Sequence, residues 1–301
     1  MRVAHIINKI ALRLRRYGFM RTTIFIIWRA TPYRFRRYID RAIIKALLLL
    51  NIEYLKTSVN QTEIFIVPRY PFTIMAYFIS GHYDEREISF IRKYISPNYS
   101  FIDVGANFGA WTFSLADHFE KVIAFEPDPE CFGCLEKTKL HLNRANVSLW
   151  NVALAEENKE GVLYPSKSNK GDGRIYDPKD DDRLDGIKIQ IRSFDSIVKE
   201  KGLNVEYMFL KLDAQGAESW VLKRMQDSLK HAKDVILWTE VQSAVLNSAG
   251  ENVDSFFSLL KDLGFKPVDL HNNFGEIDWA EGVSDLKNKG DFCFRLGQVV
   301  G

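Results

Sequence analysis

The nine residues Phe101-Ile102-Asp103-Val104-Gly105-Ala106-Asn107-Phe108-Gly109 constrain this chain more than any other stretch. The apolar run over residues 100–104 reads as a buried strand, the glycines as a tight turn, and residues 110 to about 119 as a helix. A strand that feeds a helix through glycines makes a corner where a ligand can approach the backbone. The first N–H groups of the helix have no partner within it and face that corner.

Downstream of this corner, strand-like and helix-like segments alternate. Strands are expected over 121–125, 147–152, 187–191, 205–212, 235–238, 265–268 and 292–296, with 161–164 as a further candidate. Helices are expected over 129–143, 194–199, 217–229 and 253–263. Upstream, residues 63–67 read as a strand, 70–83 as an aromatic-rich stretch and 84–94 as a helix. Such alternation over some 200 residues predicts an α/β fold, a mostly parallel sheet with helices on both faces.

In sheets of this kind ligands sit beyond the carboxyl ends of the strands. That directs attention to Asp103–Gly109, Glu126–Asp128, Asn151–Ala153, Asp213–Glu218 and Glu240–Gln242. Glu126 lies 23 residues after Asp103, at the end of the next expected strand, where a carboxylate can accept both hydroxyls of a ribose. The plainer reading makes it an acid at a helix start, since Pro127-Asp128-Pro129 is itself a start signal. Asn107 stands where a dinucleotide fingerprint has its second glycine, the residue that lets a pyrophosphate touch the backbone. An adenosine bearing a short charged tail fits better, and S-adenosyl-L-methionine is such a ligand.

Several motifs together resemble one family. Phe101-Ile102-Asp103-Val104-Gly105-Ala106-Asn107-Phe108-Gly109 with Thr112, Phe125-Glu126-Pro127-Asp128-Pro129, Asn151-Val152-Ala153-Leu154 and Lys211-Leu212-Asp213-Ala214-Gln215-Gly216-Ala217-Glu218 look like the FkbM-type S-adenosylmethionine-dependent methyltransferases. Gly81-His82-Tyr83-Asp84-x-Arg86-Glu87 is similar to the family's lead-in, and Gly171-Asp172-Gly173-Arg174-Ile175 to its glycine-rich segment. The likeness covers roughly residues 81–240. It implies a class I methyltransferase (Rossmann-like) fold and O-methylation, often of a sugar hydroxyl or a polyketide product. Carried over, it implies that Asp103, Gly105, Asn107 and Gly109 wrap the methionine part of the cofactor, that Glu126 holds the ribose, and that Asn151 and Ala153 line the adenine. Asp213 would face the sulfonium and the acceptor.

Removal of the acceptor's proton requires a base within reach. Asp213, Glu240 and His82 are the candidates, with Glu218 either a fourth or only a cap for the helix that follows it. Lys211 would orient Asp213 or meet an acidic substrate. His118, His141 and His231 read as structural. Asp180–Asp182 is a consecutive acid run in a polar loop, the usual mark of a solvated segment, and no metal is expected. Three cysteines, two of them the C-x-x-C pair Cys131 and Cys134, make neither a disulfide framework nor a complete zinc site.

The net charge of +2 conceals an asymmetry. Residues 1–60 hold 13 Lys/Arg against Asp40 and Glu53, and the remaining 241 residues carry an acidic excess of nine. Two domains are therefore expected: a basic, amphipathic helical extension over 1–60, and an S-adenosylmethionine-binding methyltransferase domain over 61–301. In residues 1–30 the basic and apolar faces suit docking on an anionic membrane surface or on a partner, or packing on the main domain as an extra helical layer, and the later helix is expected to pack there. No nucleic-acid-binding module accompanies the charge, so nucleic acid is not expected as a partner. Neither a cleavable leader nor a membrane span is evident, which predicts a cytoplasmic protein, peripheral at the inner membrane face. The expected activity is methyl transfer to a hydroxyl of a small-molecule, glycan or glycolipid-like acceptor. A nicotinamide-dependent oxidoreductase on the same layout, and a non-catalytic membrane-associated binding domain, are the rival readings.

Overall fold

The computed structural model describes residues 21–155, 158–269, 275–279 and 289–297. The first 20 residues, which hold most of the expected amphipathic helix, lie outside them. Helix α1 covers residues 21–30 and α2 runs Tyr33–Leu49, separated at Thr31-Pro32, where proline supplies a fixed φ and no N–H. Along α2 the half-buried or buried positions are Arg36, Ile39, Asp40, Ile43, Ile44 and Leu47, the spacing of one helical face.

Next comes a hairpin of β1 (Leu55–Val59) and β2 (Thr62–Ile66). Its two-residue turn, Asn60-Gln61, has φ of 48° and 70°, the left-handed pair that a tight hairpin requires. The hairpin straddles the expected boundary between residues 60 and 61. The aromatic stretch then forms α3 (Pro71–Thr73) and a π-helical segment, Ile74–Ser80, closed by Gly81 at φ 70°. Helix α4 (Glu85–Tyr94) leads to the main sheet.

That sheet contains β3 (Ser100–Val104), β4 (Lys121–Phe125), β5 (Val147–Trp150), β9 (Tyr207–Leu212), β10 (Asp234–Gln242), β11 (Lys266–Asp269), β12 (Gly275–Glu276) and β13 (Lys289–Gly297). Their spatial order is β12-β11-β13-β10-β9-β3-β4-β5. From β10 to β5 every neighbour pair is parallel, while β13 inserts antiparallel between β10 and β11. The expected mostly parallel sheet is therefore present, with an antiparallel edge. Strands β3, β4, β9 and β10 are buried at nearly every position because both faces are covered. Phe101, Val122, Ala124, Phe209, Ile236 and Trp238 point into one core, and Ile102, Ile123, Phe125, Leu210, Leu212 and Leu237 into the other.

Two of the expected helices depart from expectation. Helix α5 (Ala110–Leu115) ends early in a turn where His118 N–H bonds to the Leu115 carbonyl. The single helix expected over 217–229 is two, α8 (Glu218–Lys223) and α9 (Gln226–His231). The second has its own cap: Asp195, on α7 (Phe194–Lys201), accepts from the N–H groups of Asp227 and Ser228 at 3.0 Å each. A capping carboxylate supplied from about 30 residues upstream leaves no local sequence signal.

A smaller sheet, β6 (Ala153–Leu154), β7 (Lys159–Leu163) and β8 (Ile187–Arg192), adjoins the end of β5 in sequence. It carries the polar loop over residues 166–186. Helix α6 (Pro129–Leu142) follows β4, and α10 (Ser243–Ser248) and α11 (Val253–Asp262) follow β10. Among the described residues no helix is long and apolar enough to cross a membrane.

Candidate functional site

Strand order reverses between β3 and β9, so the loops after these two strands part and leave a crevice. The glycine turn is built for that place. Gly105 has φ 78°, and a Cβ on it would lie 2.0 Å from the Asp213 carbonyl oxygen, so no side chain fits. Asn107 is also left-handed, at φ 51°. Its N–H donates to Glu126 Oε2 at 2.7 Å, and Asp128 N–H donates to Oε1 at 2.8 Å. Glu126 thus joins the turn after β3 to the turn after β4. Burial pushes its carboxyl up to about 8, with the Asp128 charge adding to the rise and the two N–H bonds opposing it.

Two charged residues interrupt otherwise apolar strands, and the sheet register sets them side by side. Asp103 on β3 faces Lys211 on β9. Lys211 Nζ lies 3.3 Å from Asp103 Oδ1, 3.7 Å from Asp213 Oδ2 and 3.0 Å from the Gly105 carbonyl. Thr112 Oγ1 donates to Asp103 Oδ2 at 2.5 Å, and Asp103 is wholly buried. Burial alone would push the Lys211 ammonium down, but Asp103 and Asp213 hold it above the usual lysine value.

The loop after β9 is held from below by Glu218, whose carboxylate accepts from Ala214 N–H and Gly216 N–H at 2.9 Å each. Both of its oxygens are engaged by that loop's backbone, and burial pushes the carboxyl up to about 7. Asp213 Oδ1 accepts from Gln215 Nε2 at 2.7 Å. Burial raises Asp213 above the usual carboxylate range, with Lys211 opposing and Glu240 adding.

These groups border a cavity of about 480 Å³, within the ~300–1,000 Å³ range of small-molecule sites. Phe125, Val152, Ala153, Leu154 and Leu163 give it an apolar wall near Glu126. Elsewhere it is lined by the carboxylates Asp84, Asp213, Glu240 and Asp291 together with Tyr77, Tyr83, Trp111 and Trp238. Trp111 Nε1 donates to Asp84 Oδ2 at 2.9 Å, and the rings of Tyr77 and Tyr83 stack with centroids 4.9 Å apart. Asp291 lies opposite Glu240 in the β10–β13 register. Asp291 is exposed at the rim, where desolvation by the surrounding walls first, and then the charges of Glu240 and Asp84, raise its carboxyl above the usual carboxylate range.

The polar loop supplies a further wall. Lys170 is buried and pairs with Asp128 at 2.6 Å and Glu130 at 2.7 Å, which fastens the loop to the start of α6. Arg174 pairs with Asp172 at 2.8 Å and Arg183 with Asp172 at 2.8 Å. The acid run is engaged as well: Asp180 pairs with Arg183, and Asp182 accepts from Ser166 and Ser168.

Of the residues singled out in the sequence, Gly105, Asn107, Glu126, Ala153, Asp213 and Glu240 line the cavity. Asp103, Gly109, Asn151 and His82 do not. Asp103 lies beneath the turn, and Gly109, at φ 83°, starts α5 with Phe113 and Leu135 against it. Asn151 Nδ2 donates to the carbonyls of Glu126 (2.8 Å) and Pro127 (3.2 Å), so it shapes the β4 end. His82 Nδ1 meets Glu85 Oε2 at 2.5 Å on the open side of the lead-in, while its successors Tyr83 and Asp84 face the cavity. Sequence reasoning missed Asp84 and Asp291. Asp84 was legible as part of the lead-in motif; Asp291 is placed only by strand register.

The raised carboxyls have a measurable consequence. For Glu126 and Glu218 the folded value lies above the ordinary 4.5, so the folded state binds more protons than the unfolded one in between. Their contribution is complete below the unfolded value and is lost as pH rises through about 7 to 8. Urea-unfolding stability should therefore fall from pH 5 to pH 8, each group adding a slope of up to about 1.4 kcal/mol per pH unit. Glu218→Gln should flatten that slope; a variant with the wild-type slope would show that Glu218 does not titrate this way.

A methyltransferase FkbM domain family model matches residues 103–267. The chain is similar to the solved methyltransferase FkbM from Methylobacillus flagellatus KT, with 12% identity, 76% of this chain and 54% of that one covered, and a TM-score of 0.40. It is also similar to the Pyrococcus abyssi tRNA (uracil-54, C5)-methyltransferase in complex with S-adenosyl-L-homocysteine (9% identity, 81% and 44% covered, TM-score 0.40). A third similar structure is Trm5b from Pyrococcus abyssi (11% identity, 82% and 57% covered, TM-score 0.41). The chain spans about half the length of these structures. No curated protein matches it.

Proposed function

Because the chain belongs to the FkbM methyltransferase family, we propose that it moves a methyl group from S-adenosyl-L-methionine to a hydroxyl oxygen of a sugar or glycan acceptor. The observation that carries this reading is the grouping of Gly105, Asn107, Glu126, Ala153 and Asp213 around one cavity at the strand ends. The catalytic unit is taken to run from the hairpin onward, with the preceding helices as an extension.

The residues fit the cofactor. Glu126 offers a carboxylate for ribose hydroxyls, and Phe125, Val152, Ala153 and Leu154 offer an apolar surface for adenine. Gly105, Asn107 and Asp213 would surround the methionine part, with Asp213 facing the sulfonium. When bound, S-adenosyl-L-methionine supplies an electrophilic methyl group, and the protein's share is alignment and proton removal. Asp213 is assigned to accept the acceptor's hydroxyl proton, since a carboxyl raised by burial is a stronger base than a solvated one. Glu240 stands as the second candidate on the same wall. Four carboxylates among aromatic rings suit a neutral polyol, which donates hydrogen bonds and stacks, and repel a phosphorylated or carboxylated acceptor.

Titration calorimetry with S-adenosylhomocysteine tests the cofactor assignment. Wild-type protein should bind it, and Glu126→Ala should weaken binding by about 10- to 100-fold, the loss of charge-assisted hydrogen bonds. Affinity should also rise with pH toward 8, because hydroxyl donors favour the ionised carboxylate. Binding of NAD in place of S-adenosylhomocysteine would overturn the assignment. Labelled methyl transfer to a panel of neutral and anionic glycans tests the acceptor; transfer confined to the anionic ones would refute the polyol reading.

A further inference from the structure

Helices α1 and α2 present a face that the cavity does not account for. Residues 21–50 contain seven Lys/Arg and a single acid, Asp40. Asp40 is turned inward and buried, where it accepts from Trp28 Nε1 at 3.0 Å. The outward side of α2 therefore carries Arg34, Arg37, Arg41 and Lys45 with no carboxylate among them. Beside these cations stand large apolar side chains: Phe35 and Tyr38 about half exposed, Leu49 at 74% and Leu50 at 70%. The guanidinium groups of Arg34 and Arg37 lie 4.8 and 5.1 Å from the ring centres of Phe35 and Tyr38. The sequence led us to expect this helix to bury its apolar residues on the main domain. Its inner face, Ile39, Ile43, Ile44 and Leu47, is half-buried and the helix lies against α3 and the π-helical segment, while a second apolar set is left outside.

Cations and exposed leucines on one acid-free face match one kind of partner better than others. At an anionic bilayer the apolar side chains enter the acyl boundary while the basic groups lie among the phosphates. A second copy of this chain, using the same face, would set cation against cation. A nucleic acid would meet the cations and leave Leu48, Leu49 and Leu50 in water. We infer that the outward face of α1 and α2 docks on an anionic lipid membrane. The docked helices are tied to the cavity: Arg21 of α1 donates to the Phe78 carbonyl, and to the Tyr77 carbonyl at 2.7 Å, in the π-helical segment whose Tyr77 lines it. Membrane contact thus fixes the orientation of the cavity's aromatic wall relative to the lipid surface.

Co-sedimentation of the full chain with phosphatidylcholine vesicles, and with vesicles containing 30 mol% phosphatidylglycerol, provides the test. Binding should require the anionic lipid and weaken as salt is raised from ~0.05 to ~0.5 M. Arg34→Ser/Arg37→Ser/Arg41→Ser should weaken it about 100-fold, at roughly 1 kcal/mol for each basic group near the surface. Leu48→Ser/Leu49→Ser/Leu50→Ser should weaken it at least about tenfold by removing the inserted groups. The two variants change different side chains on an exposed face, so misfolding of one, seen as a lost thermal transition, leaves the other to decide. Equal binding to neutral vesicles, or wild-type binding by either folded variant, would overturn the inference. So would a dimer in sedimentation velocity that the leucine variant dissociates.

Discussion

Lys211→Met is expected to destabilise the fold by about 3–5 kcal/mol, the usual cost of stripping one partner from a buried charge group. Asp103 would keep only Thr112 as a partner in a position with no solvent access, and the Gly105 carbonyl would lose its donor. Asp213 would lose the cation that offsets its burial. Urea unfolding gives the measurement, and its pH dependence carries the sign. In the wild type Lys211 is held above its ordinary value, so its ion-pair contribution persists through neutral pH and is lost only in the alkaline range where lysine titrates. In the variant Asp103 is a buried acid without a cation beside it. Adding Asp103→Asn to Lys211→Met should recover part of the loss, because the second change removes the uncompensated charge. A double variant no more stable than the single one would show that the cost lies in packing instead.

Asp213→Asn should lower kcat by about 10²–10⁴-fold, the range for loss of a positioned general base. The amide has nearly the same shape, and S-adenosylhomocysteine affinity should change less than about tenfold. Wild-type kcat should rise with pH through a value above the ordinary carboxylate range, in keeping with the raised Asp213, and that limb should vanish in the variant. Glu240→Gln, on the neighbouring strand, should cost less. If Asp213→Asn instead abolishes S-adenosylhomocysteine binding while Glu240→Gln carries the larger loss of kcat, the two acids exchange roles: Asp213 holds the cofactor's ammonium group and Glu240 takes the proton.

Much of this arrangement is legible in the sequence because its causes are local. The runs at 100–104, 121–125 and 207–212 are mostly apolar since both faces of the sheet are covered, and that pattern needs no partner to be recognised. The glycine turn, the proline-flanked start of α6 and the acids at strand ends are equally local. Features set by pairing are not. Asp103 and Lys211 are 108 residues apart in the chain, and only parallel register makes them neighbours. Asp291 joins the cavity through the antiparallel insertion of β13, and β10 runs on through Glu240 to Gln242 because β13 pairs along its whole length. Hydrogen bonding also redirects residues that looked suited to the cavity. Asn151 turns its amide to the backbone of Glu126 and Pro127, and His82 turns to Glu85.

The β1–β2 hairpin has a practical bearing on how the protein can be divided. Phe65 N–H donates to Thr138 Oγ1 at 3.0 Å and His141 Nε2 meets Glu63 Oε2 at 2.8 Å, so β2 is fastened along α6. The opposite end of α6 is capped by Asp128, on the cavity wall. A fragment started at residue 61 would retain β2 but lose the strand that satisfies its other edge, leaving Ile64 and Ile66 on an open ribbon prone to sticking to its own kind. Cutting ahead of Leu55 keeps the ribbon closed. Crystallisation and domain-fusion work on the part that follows α2 should therefore place its first junction in residues 51–54, between α2 and the hairpin.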